Sequence, residues 1–176
     1  KNEIGTEYDY LNKDFRGTYP FGAIIDSNDP RLIDVAVLSR YPIISIRTHQ
    51  FERFKSGKIW DGIFSRDCLE AEIALEDKNG KSLLADYRGK ILAYDDSDRI
   101  LTPSNIGKTI TIFANHFKSK LGQPDDNPET SNAWKKRKLQ SERVVEILKE
   151  RFGDNILGNF VVAGDLNDSP ESGALK

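Results

Sequence analysis

The run Phe160-Val161-Val162-Ala163, which empties straight into Gly164-Asp165-Leu166-Asn167-Asp168, constrains the chain more than any other segment. A short all-apolar run of this kind reads as a strand buried on both faces, and such a strand needs a layer on each side. One layer precedes it. Residues 131–152 carry helical periodicity, with Val144, Val145, Leu148 and Phe152 on one side and Gly153 closing the last turn. Residues 21–26, 33–39, 43–46 and 109–114 read as further strands, and residues 7–15 as a short helix. Residues 69–75 alternate, with Leu69, Ala71, Ile73 and Leu75 facing one way and Glu70 and Glu72 the other. Asp77-Lys78-Asn79-Gly80 then gives a hairpin signal. Residues 27–30 read as a turn and 121–130 as a polar loop, while 81–108 carry no regular pattern. Strands and helices that alternate, with at least one antiparallel hairpin, predict a layered α/β architecture. The 176 residues fit a single domain.

Composition removes several classes of function. A net charge of −2 excludes a broad basic surface as the means of holding a polyanion, so any grip on phosphate must come from local cations or a bound metal. The single cysteine, Cys68, excludes an internal disulfide and a zinc–cysteine cluster, and its place at the head of an alternating strand predicts packing rather than nucleophilic chemistry. No apolar run reaches the ~18 residues of a membrane span. The chain opens at Lys1 and contains no Met, so a processed or truncated product is expected. Compartment and oligomeric state are not encoded in any feature of the sequence.

Two segments carry residues suited to phosphate chemistry. In Gly164-Asp165-Leu166-Asn167-Asp168, Gly164 permits close backbone approach, and Asp165 and Asn167 would point the same way in extended chain. A carboxylate beside an amide can bind Mg²⁺ or orient a water while the amide donates to a phosphate oxygen. Taken alone, the same residue types also make ordinary turns. In Asn115-His116-Phe117-Lys118-Ser119-Lys120, His116 at a strand end can donate to phosphate or carry a proton, and Lys118 and Lys120 add positive charge. Alone, this is a solvated strand end.

Four blocks in this order, Leu38-Ser39-Arg40-Tyr41-Pro42-Ile43, the Arg66-led strand, Asn115 to Lys120, and Gly164 to Pro170, resemble the endonuclease/exonuclease/phosphatase superfamily. The resemblance covers residue 33 to the end. With its Arg137-x-x-Gln140 helix, the chain looks most like bacterial members described as nucleases. The resemblance implies a DNase I-like α-β-β-α four-layer sandwich with mixed sheets. It implies a metal-dependent phosphodiester hydrolase, with a divalent metal that is Mg²⁺ first and Mn²⁺ or Ca²⁺ as alternatives, acting on nucleic acid or another phosphodiester. Asp165 would orient the attacking water and touch the metal. Asn167 would hold a phosphate oxygen or a second metal position. His116 would contact the scissile phosphate. Lys118 would lie near the substrate backbone, and Arg66 would face phosphate or brace a loop, against the plainer role of a solvated strand start.

The family's first-strand Asn, its metal-binding Glu and its terminal Asp-His pair have no counterparts in the sequence. The domain is therefore expected to be partial at both ends, and the piece by itself to hold Mg²⁺ weakly and turn over little. Two competing readings stand beside the nuclease. One is a phosphatase or phosphodiesterase acting on inositol or lipid phosphates. The other is a binding module that kept the fold and lost the chemistry. The basic run Lys135-Lys136-Arg137-Lys138 mildly favours a polyanionic strand, although such a run is also the ordinary wet face of a helix.

Overall fold

A computed structural model describes residues 18–94, 101–120 and 131–176. The helix expected over 7–15 and the loop expected over 121–130 lie outside them. The main sheet contains β3 (Ile43–Arg47), β6 (Cys68–Asp77), β7 (Ile106–His116) and β8 (Phe160–Asp165), in the order β3-β6-β7-β8. β3, β6 and β7 pair antiparallel, and β8 joins β7 in parallel, so the sheet is mixed. A second, two-stranded sheet pairs β1 (Phe21–Ile25) with β2 (Val35–Ser39). A separate hairpin pairs β4 (Arg53–Ser56) with β5 (Ile59–Gly62). Among the described residues one α-helix, α1 (Asn132–Phe152), lies between β7 and β8 in the chain.

Alternation along β6 explains the layering. Leu69, Ala71 and Ile73 pack against Val35 and Val37 of β2. On the opposite face, Cys68 joins Phe113 and the α1 residues Val144, Ile147 and Leu148. Each such aliphatic or aromatic side chain, once buried, contributes roughly 1.5–3 kcal/mol. The described residues thus form three of the four expected layers, a helix on a sheet on a second sheet. Cys68 is fully buried, and that burial pushes its thiol above the ordinary range, which suits packing rather than attack.

Glu70 does not reach solvent. It is 5% exposed and meets His49 Nε2 at 3.2 Å and Arg151 Nε at 3.2 Å. His49 Nδ1 lies 2.7 Å from Glu52, which also pairs with Arg143. This chain of polar contacts ties the β3–β4 connection to β6 and to α1.

α1 starts and stops as its sequence predicts. Ser131 Oγ accepts from the Trp134 N–H at 3.1 Å, and Gly153 takes a φ of 81°. The buried face, however, is Val144, Ile147 and Leu148, while Val145 is exposed. Asp77-Lys78-Asn79-Gly80 does turn the chain. Asp77 Oδ1 accepts from Asn79 and Lys81 N–H groups, both at 2.8 Å, and Gly80 has φ 76°. The returning segment makes only an isolated bridge, Glu76 to Ser82.

Burial of residues 160–163 on both faces is not observed. Phe160 and Val162 pack toward α1, where the Phe160 and Phe152 rings stack at 5.2 Å. Val161 is 43% exposed, and Ala163 beside it is exposed too. β8 is the last strand of its sheet among the described residues, and β2 packs on β6 and β7 instead.

Candidate active site

Parallel pairing brings the ends of β7 and β8 to one level. His116 and Asp165 are the last register partners of that ladder, and His116 Nε2 lies 3.9 Å from Asp165 Oδ2. Such closeness needs Gly164, whose φ is 121° and where an added Cβ would run into the Asn115 carbonyl oxygen. The glycine lets two backbones touch, as expected from its lack of a side chain.

Asn167 reaches the same place by a different route from the one the sequence suggests. The chain is not extended there. β8 ends at Asp165, and Asn167 adopts φ 52°, a left-handed conformation that asparagine tolerates. Its backbone N–H donates to Asp165 Oδ1 at 2.9 Å, and its Nδ2 donates to the Phe117 carbonyl at 3.1 Å. The local turn that competes with a functional reading is therefore present, and it is what places the amide beside the carboxylate.

Arg66 approaches from beneath. It is 2% exposed, which removes the solvated-strand-start role. Its Nη1 donates to the same Phe117 carbonyl at 3.1 Å, and its Nε lies 2.9 Å from Asp29 Oδ2. This is the bracing position. Asp29 is also gripped by Arg31 at 3.0 and 2.9 Å, and that grip holds its carboxyl well below the usual range. For His116, burial and then the Arg66 charge push the imidazole below its ordinary value, against the opposing pull of Asp165. The balance favours a neutral ring at neutral pH. The Asp165 side chain itself is 66% exposed.

α1 fixes the segment after β7. Gln140 Oε1 accepts from the Lys118 N–H at 2.9 Å, and Arg137 Nη1 donates to the Lys118 carbonyl at 3.2 Å. Arg137 Nε also holds Asp168 Oδ2 at 2.7 Å, with both side chains sealed from solvent, and Lys120 Nζ meets Asp168 Oδ1 at 2.7 Å. The Lys118 side chain remains exposed. Asp29, Arg31, Gln140 and the Arg137–Asp168 pair are the supporting residues that sequence reasoning did not assign. Asp29-Pro30-Arg31 looks like turn chemistry, and nothing local marks an arginine as buried.

Among the described residues, no three His, Cys, Asp or Glu side chains gather as a ready metal site. Asp165 and Asn167 fit part of an Mg²⁺ shell. The Asn167 amide nitrogen is engaged, its Oδ1 has no partner among the described residues, and the Asp165 carboxylate faces solvent. One or two protein oxygens plus waters is an ordinary Mg²⁺ arrangement. Beside the site, a cleft of about 720 Å³ is lined by Arg31, Phe54, Arg66, Lys118, Lys135 and Lys136 among others. It adjoins His116 and Asp165 rather than enclosing them.

No family model and no curated protein matches this sequence. In three dimensions the chain is similar to a β-hairpin deletion mutant of beta toxin from Staphylococcus aureus. The TM-score is 0.53 at 16% identity, over 95% of this chain and 51% of the other. The chain thus spans about half the length of that protein. At so low an identity the likeness speaks to architecture, and the architecture is mixed-sheet α/β of the DNase I-like kind.

Proposed function

We propose that this chain is part of a metal-dependent phosphodiester hydrolase, and specifically of a nuclease acting on DNA or RNA. The observation that carries the reading is the pairing of His116 with Asp165 at the shared end of two parallel strands, with Asn167 folded in beside them.

The 3.9 Å between His116 Nε2 and Asp165 Oδ2 is too long for a direct hydrogen bond and leaves room for an oxygen atom to be addressed from both sides. Asp165, open to solvent, accepts a hydrogen bond from a water and aligns it for in-line attack on phosphorus, the opposite P–O ester bond breaking as the new one forms and the departing oxygen taking up the proton that the water gives off. His116, as a neutral imidazole, donates to a non-bridging phosphate oxygen. The Asn167 side-chain nitrogen is tied to the Phe117 carbonyl, which leaves its carboxamide oxygen to accept a ligand. Arg66 and Asp29 keep the Phe117 carbonyl, and with it the His116 loop, in place. A divalent metal bound at Asp165 and Asn167 would supply Lewis-acid stabilisation of phosphate charge. Lys118 supplies a further positive charge at the rim. The cations of the adjoining cleft favour a polyanion over a small headgroup.

The test is Asp165→Ala in the full-length protein, assayed with labelled oligonucleotides and with inositol phosphates in Mg²⁺ and in EDTA. Oligonucleotide cleavage that needs Mg²⁺ and falls at least ~10²-fold in the variant is expected. Wild-type rates in Asp165→Ala would overturn the catalytic assignment, and a preference for inositol phosphates would overturn the nuclease.

A further inference from the structure

Resting on that nuclease reading, we infer that a cationic, aromatic track leads from the site onto the β4–β5 hairpin and binds a single-stranded polynucleotide. Two clefts compose it. The first, about 720 Å³, begins at Arg66 and Lys118 and runs along Lys135 and Lys136 at the start of α1. The second, about 400 Å³, is lined by Phe51, Arg53 and Trp60. They meet at Asp61, Ser65 and Lys136, the first cleft on the Phe54–Ser56 face of the hairpin and the second on its Arg53–Trp60 face, so a strand passing from one to the other crosses the hairpin there.

Its chemistry suits a polymer of phosphates and flat bases. Of the cations along it, Arg31 and Arg66 are engaged by Asp29, and Lys136 lies 3.6 Å from Asp61. Arg53, Lys118 and Lys135 have no carboxylate within ion-pair reach among the described residues. Lys135 and Lys136 occupy the first turns of a helix whose first turn has no acidic residue. Positive charge there opposes the helix macrodipole, so it lowers stability unless an anion offsets it. Trp60 and Phe51 are 60% and 68% exposed. Large aromatic faces left in water cost stability and offer stacking surface. Trp60 pairs across the hairpin with Lys55, and Arg53 lies two residues before Lys55, so a ring and two cations share one hairpin face. Cations interleaved with exposed rings are the arrangement that tracks a backbone while bases stack, and unpaired bases can stack where duplex bases cannot.

The experiment is fluorescence anisotropy of labelled oligonucleotides with the full-length protein in EDTA, where binding is read without turnover. Single strands should bind more tightly than the matching duplex, with affinity falling as salt rises. Trp60→Ala, at an exposed position, should weaken single-strand binding about 10-fold, the effect of one lost stacking contact. Lys135→Ala should flatten the salt dependence. Because binding is read in EDTA without turnover, failure of the track is distinct from failure of the catalytic assignment, which the cleavage assay of Asp165→Ala tests separately. Tighter duplex binding, an unchanged affinity in a folded Trp60→Ala, or capture by phosphatidylcholine–phosphatidylserine vesicles without oligonucleotide affinity would each overturn the inference.

Discussion

Arg137 Nε and Asp168 Oδ2 lie 2.7 Å apart, 31 residues distant in sequence and both shut away from solvent. This pair joins α1 to the loop that follows β8, and Arg137 also donates to the Lys118 carbonyl. The loops bearing Lys118 and Asn167 are therefore fastened to one helix. Removing Arg137 leaves the sealed Asp168 carboxylate with the more exposed Lys120 as its counter-charge, a loss of roughly 3 kcal/mol, the low end for a broken buried pair. Arg137→Met should lower stability by that order in chemical denaturation, with loss of activity even under conditions where the protein stays folded. A change within a few tenths of a kcal/mol would show that the pair is not structural.

The same pair sets an acid limit. Burial alone would raise Asp168, but hydrogen bonds from Lys120 and Arg137 override it and hold it at about 2. Asp77 is likewise held at about 2, chiefly by the Tyr94 hydroxyl. Each carboxyl lies below its ordinary 3.8, so each contributes stability above that value and loses it as pH falls toward about 2. Denaturation midpoints should drop across that window, and Asp168→Asn should reduce the dependence while lowering stability at neutral pH.

Gly164→Ala should be severe. The added methyl meets the Asn115 carbonyl, and φ 121° is a region that L side chains rarely adopt. A loss of at least about 2 kcal/mol is expected, with the β7–β8 ladder opening first. Amide exchange at the paired residues would report it, and unchanged protection would argue against close packing at this point.

His116→Ala should reduce kcat on oligonucleotides by ~10²–10³, as for loss of a donor aimed at developing charge. Because burial and Arg66 depress the His116 pKa, its neutral form persists below the ordinary 6.5. Any stability gained from neutral His116 is present above 6.5 and is lost as pH falls through the depressed value. In an NMR titration His116 should change protonation below 6.5. A titration above 6.5 would contradict the electrostatics described.

Away from the site, His49→Ala should destabilise the fold by about 1–3 kcal/mol, since it takes a hydrogen-bond partner from the buried Glu70 carboxylate, which keeps Arg151. The rate per folded molecule should stay unchanged, which makes the variant a control for His116.

The local parts of this protein were legible in its sequence. Alternation marked β6, and Ser131 and Gly153 bounded α1, because each depends on neighbours within a few residues, while Gly164 announced a close approach without naming Asn115 as its partner. The β4–β5 hairpin went unassigned although Gly57, at φ 62°, fills the turn position that favours glycine. Whether a charged side chain is buried, which face of β8 stays open, and how Asn167 turns back to Asp165 depend on partners tens of residues away. Arg66, Arg137 and Glu70 read as surface charges in one dimension, and only the packing of sheet, helix and loops supplies the carboxylates, carbonyls and cations that let them be buried. Sequence thus determined which strands and helix could form, and tertiary structure decided which of their polar groups meet.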